Sequence, residues 1–440
     1  MDDSGDEPLP ASAGHDRNDS DDAVRRCGRA YPPDLARWVT AHWPAESPLS
    51  LSPELLHEAL SVAYQASMMT EERRPTRFRL LLTPAASLPL DGEANRGVLP
   101  LRFDRSRPFN ADELRRLAPS TPFETSLIGA DEEGGALRIW GIAHSGPAWL
   151  APTWGGRDPG SNWTLDPIVH VNGPGQIAVR RAGALVGALE RGALVDAAID
   201  VFESAWLPAM FMREREEVRV WHGAAQAGRT TPTAVEHSLI GRISQHMLRR
   251  CIQLVRGARH GGLLLVQDVE DGVVDSLRLK YRFAQHEPTR RYRALLLRLL
   301  EALADSTNKP SIGWSDFVTS ASAELERLEQ AVFEWSRVVA NLAAIDGAVV
   351  VDKRFALVGF GAEVSAELPT PSRVWRALDR EGSRRRPEDV EAVGTRHRAG
   401  YRFVNDHPGG LAIVVSNDGG VTFVANRGGE VVYWEQSSRP

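Results

Sequence analysis

Cysteine is nearly missing: the 440 residues hold 2, Cys27 and Cys251. One falls in a polar tail and the other in an amphipathic segment. A disulfide framework or a cysteine metal site is therefore not expected, and a reducing compartment fits. Long apolar runs are missing as well. No stretch of about eighteen apolar residues occurs, so no membrane span is expected. The acidic N-terminus has no apolar stretch and is not expected to act as a secretory signal; a cytoplasmic protein is expected. An excess of positive charge is also lacking. Lys and Arg number 52 against 58 Asp and Glu, for a net charge of -6 and a sequence pI of about 6.1. No basic field advertises nucleic acid, and no nucleic-acid partner is expected.

What is present is ordinary for a globular protein: 42% hydrophobic and 25% charged residues,. The length predicts two or three domains. Tryptophan is abundant, at 12. Trp43, Trp149 and Trp154 lie near proline or glycine, as in a loop-rich module pinned by aromatics.

Residues 1–30 are rich in Asp, Ser, Pro and Gly and are predicted to be a disordered acidic tail. Residues 31–215 read as an α+β region. Pro33-Asp34-Leu35 opens a short helix. Ser52-Pro53-Glu54 is a helix start, with a hydroxyl cap, proline in the first turn and an acid behind it. Leu55, Leu56, Ala59, Leu60 and Ala63 then mark one helical face to about Met68. Strands are predicted at 77–82, 98–103, 136–142, 168–171, 176–179 and 184–189, and a further helix capped by Asn110. Gly173 and Gly175 have turn chemistry rather than that of a phosphate loop, because no Lys-Ser/Thr and no helix follow. A Gly-, Pro- and Trp-dense loop spans 144–163, a helix is predicted over 196–212, and residues 216–233 read as a linker.

Residues 234–440 form the last unit. A helix over 234–255, stopped by Gly257, precedes a buried strand at 261–266. Helices at 289–304 and 315–344 follow. The second runs into Asp346-Gly347-Ala348 and the apolar run 349–351. Arg354 to Gly361 reads as a partner strand, in which Gly359 and Gly361 allow close approach to a ligand. A helical, Arg-rich connection carrying Arg384-Arg385-Arg386 leads to Gly394-Thr395-Arg396-His397-Arg398. The buried strand 411–415 ends in Ser416-Asn417-Asp418-Gly419-Gly420, and 421–425 forms the last hairpin arm. Two guanidiniums around an imidazole suit phosphate oxygens. A carboxylate at a strand start can activate a hydroxyl or hold Mg²⁺. The chemistry alone allows a nucleotide-handling α/β domain or a stable sheet with polar turns.

The ordered set Asp346-Gly347-Ala348, Gly394-Thr395-Arg396-His397-Arg398-Ala399 and Ser416-Asn417-Asp418-Gly419-Gly420 resembles the motifs of the diadenylate cyclase (DAC) domain. There they read Asp-Gly-Ala, Gly-Thr-Arg-His-Arg-Ala and Ser-Glu-Glu-Thr-Gly. Ala258-Arg259-His260-Gly261-Gly262-Leu263 resembles the family's first core strand. Residues 31–215 resemble a sensor-like region fused to some bacterial DAC proteins, notably at Tyr64-Gln65-Ala66-Ser67 and Glu71-Glu72-Arg73-Arg74-Pro75. The resemblance implies an α/β fold, a DAC-type mixed sheet flanked by helices, behind an α+β sensor-like region. It implies synthesis of cyclic di-AMP from two ATP with Mn²⁺ or Mg²⁺, by two cyclase domains facing each other in a homo-association. By resemblance, Asp346, Arg396, His397 and Arg398 are catalytic. Gly347, Ala348, Gly359, Phe360, Gly394, Thr395 and Ser416 line ATP, and Asp346 and Asp418 hold the metal. The sequence departs from the family at Asn417, which carries no charge, and at Asp418, one methylene shorter than Glu. The alternative is a nucleotide-binding sensor with weak or no catalysis.

Overall fold

Ser52 accepts a hydrogen bond from the Leu55 amide, and helix α2 (Pro53–Ser67) starts there, after helix α1 (Pro32–His42). The computed structural model describes residues 29–436 apart from 47–48, 89–97, 147–155, 158–165, 182–183, 191, 196–198, 230–231, 269–275, 285–286, 308, 391–392 and 418. The predicted acidic tail up to residue 28, Trp149, Trp154, most of the 144–163 loop and Asp418 thus lie outside the described residues, while Ala30, at the tail's end, is buried and bonded to the Gly192 carbonyl. The α2 positions Leu56, Ala59, Leu60 and Ala63 are fully buried against a sheet of eight strands. These are β1 (Phe78–Leu82), β2 (Leu99–Pro108), β3 (Ser126–Glu133), β4 (Ala136–His144), β5 (Ile168–Gly173), β6 (Gln176–Arg181), β7 (Ala184–Glu190) and β8 (Ala193–Val195). Their spatial order is β8-β7-β6-β5-β1-β3-β4-β2. Asn110 caps helix α3 (Ala111–Leu117) through the Glu113 amide, as its sequence predicts. Strand β3 has no counterpart in the sequence reading, although it pairs with both β1 and β4.

From Asp200 onward the chain is tied to the second unit. The Val201 amide donates to the Gln436 side chain at 2.7 Å, and Gln436 and Arg249 both donate to Asp200, at 2.8 and 2.6 Å. The helix predicted over 196–212 is not formed over its described residues: a short turn at Val201–Glu203 and one helical turn at Trp206–Ala209 stand in its place. Pro208 and the burial of Phe202 and Trp206 against the C-terminal core explain the break,. The stretch expected as linker is helical as far as Gln226, in helix α4 (Met212–Gln226). Its mostly charged face hides the single anchor Val218, which is buried in the same core.

Helix α5 (His237–Ala258) runs past Gly257 and ends at Arg259, whose φ of +57° takes the left-handed conformation usually left to glycine,. Helices α6 (Arg291–Thr307) and α7 (Ala323–Leu342) follow. The single helix expected over 315–344 is split, because Ser322 caps α7 through the Leu325 amide after the short helix Trp314–Thr319. The sheet has nine strands: β9 (Gly262–Val266), β10 (Leu277–Arg282), β11 (Ala348–Val351), β12 (Leu357–Val364), β13 (Arg373–Ala377), β14 (Arg385–Asp389), β15 (Leu411–Val415), β16 (Val421–Arg427) and β17 (Glu430–Gln436). Their order is β10-β12-β11-β9-β15-β16-β17-β13-β14. The connection expected to be helical is the hairpin β13–β14 at the sheet edge. Arg385 pairs there with Glu430 and Arg386 with Glu388, so two of the three arginines of the run are spent on strand neighbours.

Apolar residues of β9, β11 and β15 alternate between two cores. Val349, Val351, Ile413 and Val415 face α5, α6 and α7, while Leu263, Val350, Ala412 and Val414 face helix α8 (Thr395–Asp406). A mixed sheet therefore lies between two helical layers. The two units touch. The Gly156 amide donates to His246 Nδ1 at 2.7 Å, and Arg157 donates to Glu329 at 2.7 Å and to the Ser320 carbonyl at 2.8 Å. Burial, then the charges of Arg249 and Arg242, push the His246 imidazole down to about 3, which keeps it a neutral acceptor for Gly156,.

Candidate active site

Strand register brings three separate stretches to one edge of the nine-stranded sheet. Strands β9 and β11 run parallel, with Leu263 opposite Ala348, and β9 and β15 run antiparallel, with Gly262 opposite Val415. The start of β9, the start of β11 and the end of β15 therefore share that edge. Val421, opposite Val415, brings the start of β16 there as well. Asp346-Gly347 precedes β11, His260-Gly261 precedes β9, and Ser416-Asn417 follows β15. At about 5 Å per strand, β11 and β15 stand about 10 Å apart across β9.

Gly394 to Arg398 is the N-terminus of α8, with Gly394 as cap, and not a surface turn. Exposed amides at a helix N-terminus favour anions. Arg396 reaches across the edge. Its guanidinium donates to Asn417 Oδ1 at 2.9 Å and to the His260 carbonyl at 3.1 Å. Gly261, with φ of +67°, makes this possible: a Cβ there would lie 2.5 Å from Asn417 Oδ1 and 2.6 Å from an Arg396 Nη1. His397 Nε2 lies 3.3 Å from Thr422 Oγ1, which ties α8 to β16. Gly400 sets the helix close on the sheet, where a Cβ would meet Ala412 and Val414 at 3.3 and 3.5 Å. The Ser416–Gly420 turn is closed by Ser416 N to Gly420 O at 2.8 Å and Gly419 N to Ser416 O at 2.9 Å.

Two charges at this edge are unspent on the fold. Asp346 is exposed and Arg398 half-buried, and neither side chain makes a hydrogen bond or ion pair among the described residues. Thr395 and Gly394 are exposed, and Ser416 is half-buried. Ala348 is fully buried in the α8-side core, so it supports the edge from within the strand. Gly347, with φ of +115°, packs against the backbone of Gly361 on β12.

Gly359 and Phe360 lie further along β12, opposite Val350 and Tyr281. The space above Gly359 holds the Tyr281 carbonyl of β10, so the close approach it permits is that of a neighbouring strand. Phe360 stacks on Tyr281 with ring centroids 4.7 Å apart. The sequence reading missed His260 and Arg256 as members of this edge. Gly419 sits beside Arg256, whose Nε would lie 3.8 Å from a Cβ there. The only local signal for Arg256 was the basic run at the end of α5, and His260 entered only within the stretch that resembles the family's first core strand. Arg259, next to His260, acts with burial to hold the Arg77 guanidinium of the N-terminal unit below its usual pKa, burial being the larger cause. The N-terminal unit thus borders this edge.

Residues 47–144 match the family described as "Probable sensor domain DACNV", which covers under a quarter of the chain. The N-terminal region therefore carries a sensor domain of the kind found in DAC proteins. No curated protein matches the chain. Among solved structures, a hypothetical membrane spanning protein from Bacillus cereus is similar at 18% identity and a TM-score of 0.23, over 43% of this chain and 62% of that one. That likeness is too distant to carry an argument. Among the described residues, no helix is long and apolar enough to cross a membrane.

Proposed function

We propose that the C-terminal unit is a diadenylate cyclase, condensing two ATP into cyclic di-AMP and two pyrophosphates, and that the N-terminal sensor domain regulates it. The observation that supports this most is the Arg396 bridge. One guanidinium joins the helix N-terminus to the Ser416–Gly420 turn and to the start of β9, one strand away from Asp346. A triphosphate laid along this edge meets helix amides and two arginines at one end and the Asp346 carboxylate at the other.

In each half-reaction, a ribose 3′-oxygen bonds to the α-phosphorus of the facing ATP. The bond from that phosphorus to the bridging oxygen breaks, and pyrophosphate leaves. Asp346 takes the hydroxyl proton, and Arg396 and Arg398 neutralise charge on the transferred group and the leaving pyrophosphate. His397, fixed by Thr422, holds α8 in register for this grip. Among its described residues a single edge presents the Asp346 carboxylate and one phosphate grip, so closing the ring takes two copies face to face.

Among the described residues no group of three or more His, Cys, Asp or Glu is gathered. Asp346, whose exposed carboxylate oxygens suit a hard cation, would hold Mg²⁺ or Mn²⁺,. When bound, such an ion offsets phosphate charge.

The test is to incubate the purified full-length chain with ATP and Mn²⁺ or Mg²⁺ and to resolve the products by chromatography. Cyclic di-AMP and pyrophosphate are expected. ATP binding without either product, under both metals, would instead support a nucleotide-binding sensor, a reading favoured by Asn417: its amide oxygen is occupied by Arg396 where the resembled family has a carboxylate. Arg396→Ala is expected to weaken ATP binding by about tenfold or more, since it removes a charged donor from the grip. Calorimetric titration with ATP checks this, and unchanged affinity would remove Arg396 from the site.

A further inference from the structure

At the opposite end of β11 from Asp346 lies a second opening. The turn after the strand, Lys353 to Phe355, forms its wall together with the segment Leu207–Val218, α5 and α6. The cleft opens to solvent on one side and measures about 600 Å³ with the solvent space at its mouth counted in. Its body is apolar, built from Leu207, Phe211, Val218, Ile240, Leu248 and Leu296. Phe355, a bulky residue at φ of +57°, stacks on Phe211 with ring centroids 5.4 Å apart. That conformation is rare for such a side chain and marks a wall held in place by its surroundings.

Two charged side chains line this cleft with polar atoms left over. Arg293 is 7% exposed and Glu214 6% exposed. Arg293 Nη1 donates to Glu217 at 3.1 Å, and its guanidinium lies 3.7 Å from the centre of the Trp221 ring. Its Nε and Nη2 atoms find no hydrogen-bond partner among the described residues, nor does Glu214 Oε2. Nε and Nη2 form one side of the guanidinium fork, the side that takes a carboxylate with two parallel bonds. Glu214 Oε2 is an acceptor awaiting a donor. Leaving such atoms unpaired in a buried setting is costly, so a ligand that pairs them gains what the free chain lacks.

We propose that this cleft binds a small apolar acid that also carries a hydrogen-bond donor, the chemistry of an apolar α-amino acid or 2-hydroxy acid. The carboxylate takes the Arg293 fork, the donor takes Glu214 Oε2, and the side chain fills the apolar body. Leu207, Phe211 and Glu214 belong to the segment that joins the sensor unit to the cyclase unit, so an occupant would brace that junction. The assignment does not depend on the cyclase reading.

The test titrates the full-length chain with phenylalanine, 3-phenyllactate, 3-phenylpropionate and phenethylamine, following ligand-observed NMR. Phenylalanine and phenyllactate are expected to bind, phenylpropionate to bind about tenfold more weakly for want of the donor, and phenethylamine not to bind. Binding of phenethylamine as tight as that of the acids, or binding by none of the four, overturns the proposal. Arg293→Lys keeps the charge and removes the fork, and is expected to lose binding of all three acids; unchanged binding overturns the proposal. Because that buried variant can fail to fold, hydrogen exchange on the unsubstituted chain gives a second measurement. Phenylalanine is expected to slow exchange in residues 207–218 and 353–356, and protection confined to 394–420 overturns the assignment.

Discussion

Asp346→Asn is expected to lower cyclic di-AMP formation by about a thousandfold or more while ATP affinity stays within about threefold, the pattern of a group that acts on the reacting atoms rather than on ground-state binding. The change is nearly isosteric and replaces a proton acceptor with a neutral amide. Its effect on the fold is small for a reason visible in the structure. The side chain is exposed and has no hydrogen bond or ion pair among the described residues, so no native interaction is lost with the charge. An exposed substitution away from such interactions changes stability by about 0.5 kcal/mol or less. An unaltered melting temperature with lost turnover is therefore the expected signature. The measurement pairs product formation with calorimetric ATP binding on the same preparation. If turnover persists within tenfold of the unsubstituted chain, Asp346 is not the base. If ATP binding falls in step with turnover, its role is to hold the nucleotide or its metal, and the proton must go elsewhere.

The strands that carry this edge were legible because they are buried on both faces. Leu411–Val415 and Ala348–Val351 read as continuous apolar runs, which is what a central strand between two helical layers demands,. Strand β10, Leu-Arg-Leu-Lys-Tyr-Arg, was missed for the converse reason. It is an edge strand with four of its six positions exposed, and its charge disguises it,. The β13–β14 hairpin hid likewise behind its arginines, with Pro387 tolerated only because β14 is the outermost strand,. At the site, the order of the motifs was legible and their juxtaposition was not. That Arg396 meets both Asn417 and the His260 carbonyl depends on β9 pairing with β15 and β11 at a particular register, a non-local fact that no local pattern encodes. The left-handed Arg259 shows the same limit. Gly257 was the natural stop for α5, yet the helix runs on until the chain must turn into β9.

Gly347→Ala is expected to be strongly damaging to the C-terminal unit, costing about 2–4 kcal/mol and lowering that unit's melting temperature by roughly 5–10 °C. The residue has φ of +115°, which an L side chain does not adopt without strain,. A Cβ there would also lie 2.6 Å from the Gly361 carbonyl carbon, 2.8 Å from its Cα and 2.9 Å from the Ala362 nitrogen. All three are backbone atoms of β12, so no rotamer change can relieve the contact. Either β11 and β12 move apart, at the cost of their pairing at Ala348 and Ala362, or the Asp346–Gly347 turn is displaced from the edge. Gly428→Ala is the control. Gly428 has φ of +68° in the β16–β17 turn but open space where its Cβ would be, so the conformational cost of about 1 kcal/mol stands alone,. Thermal unfolding of the two variants separates the contact from the dihedral. A Gly347 variant no less stable than the Gly428 variant would mean that β12 yields at Gly361. In that event Asp346 would keep its place and turnover would survive, whereas a rigid β12 predicts that stability and turnover fall together.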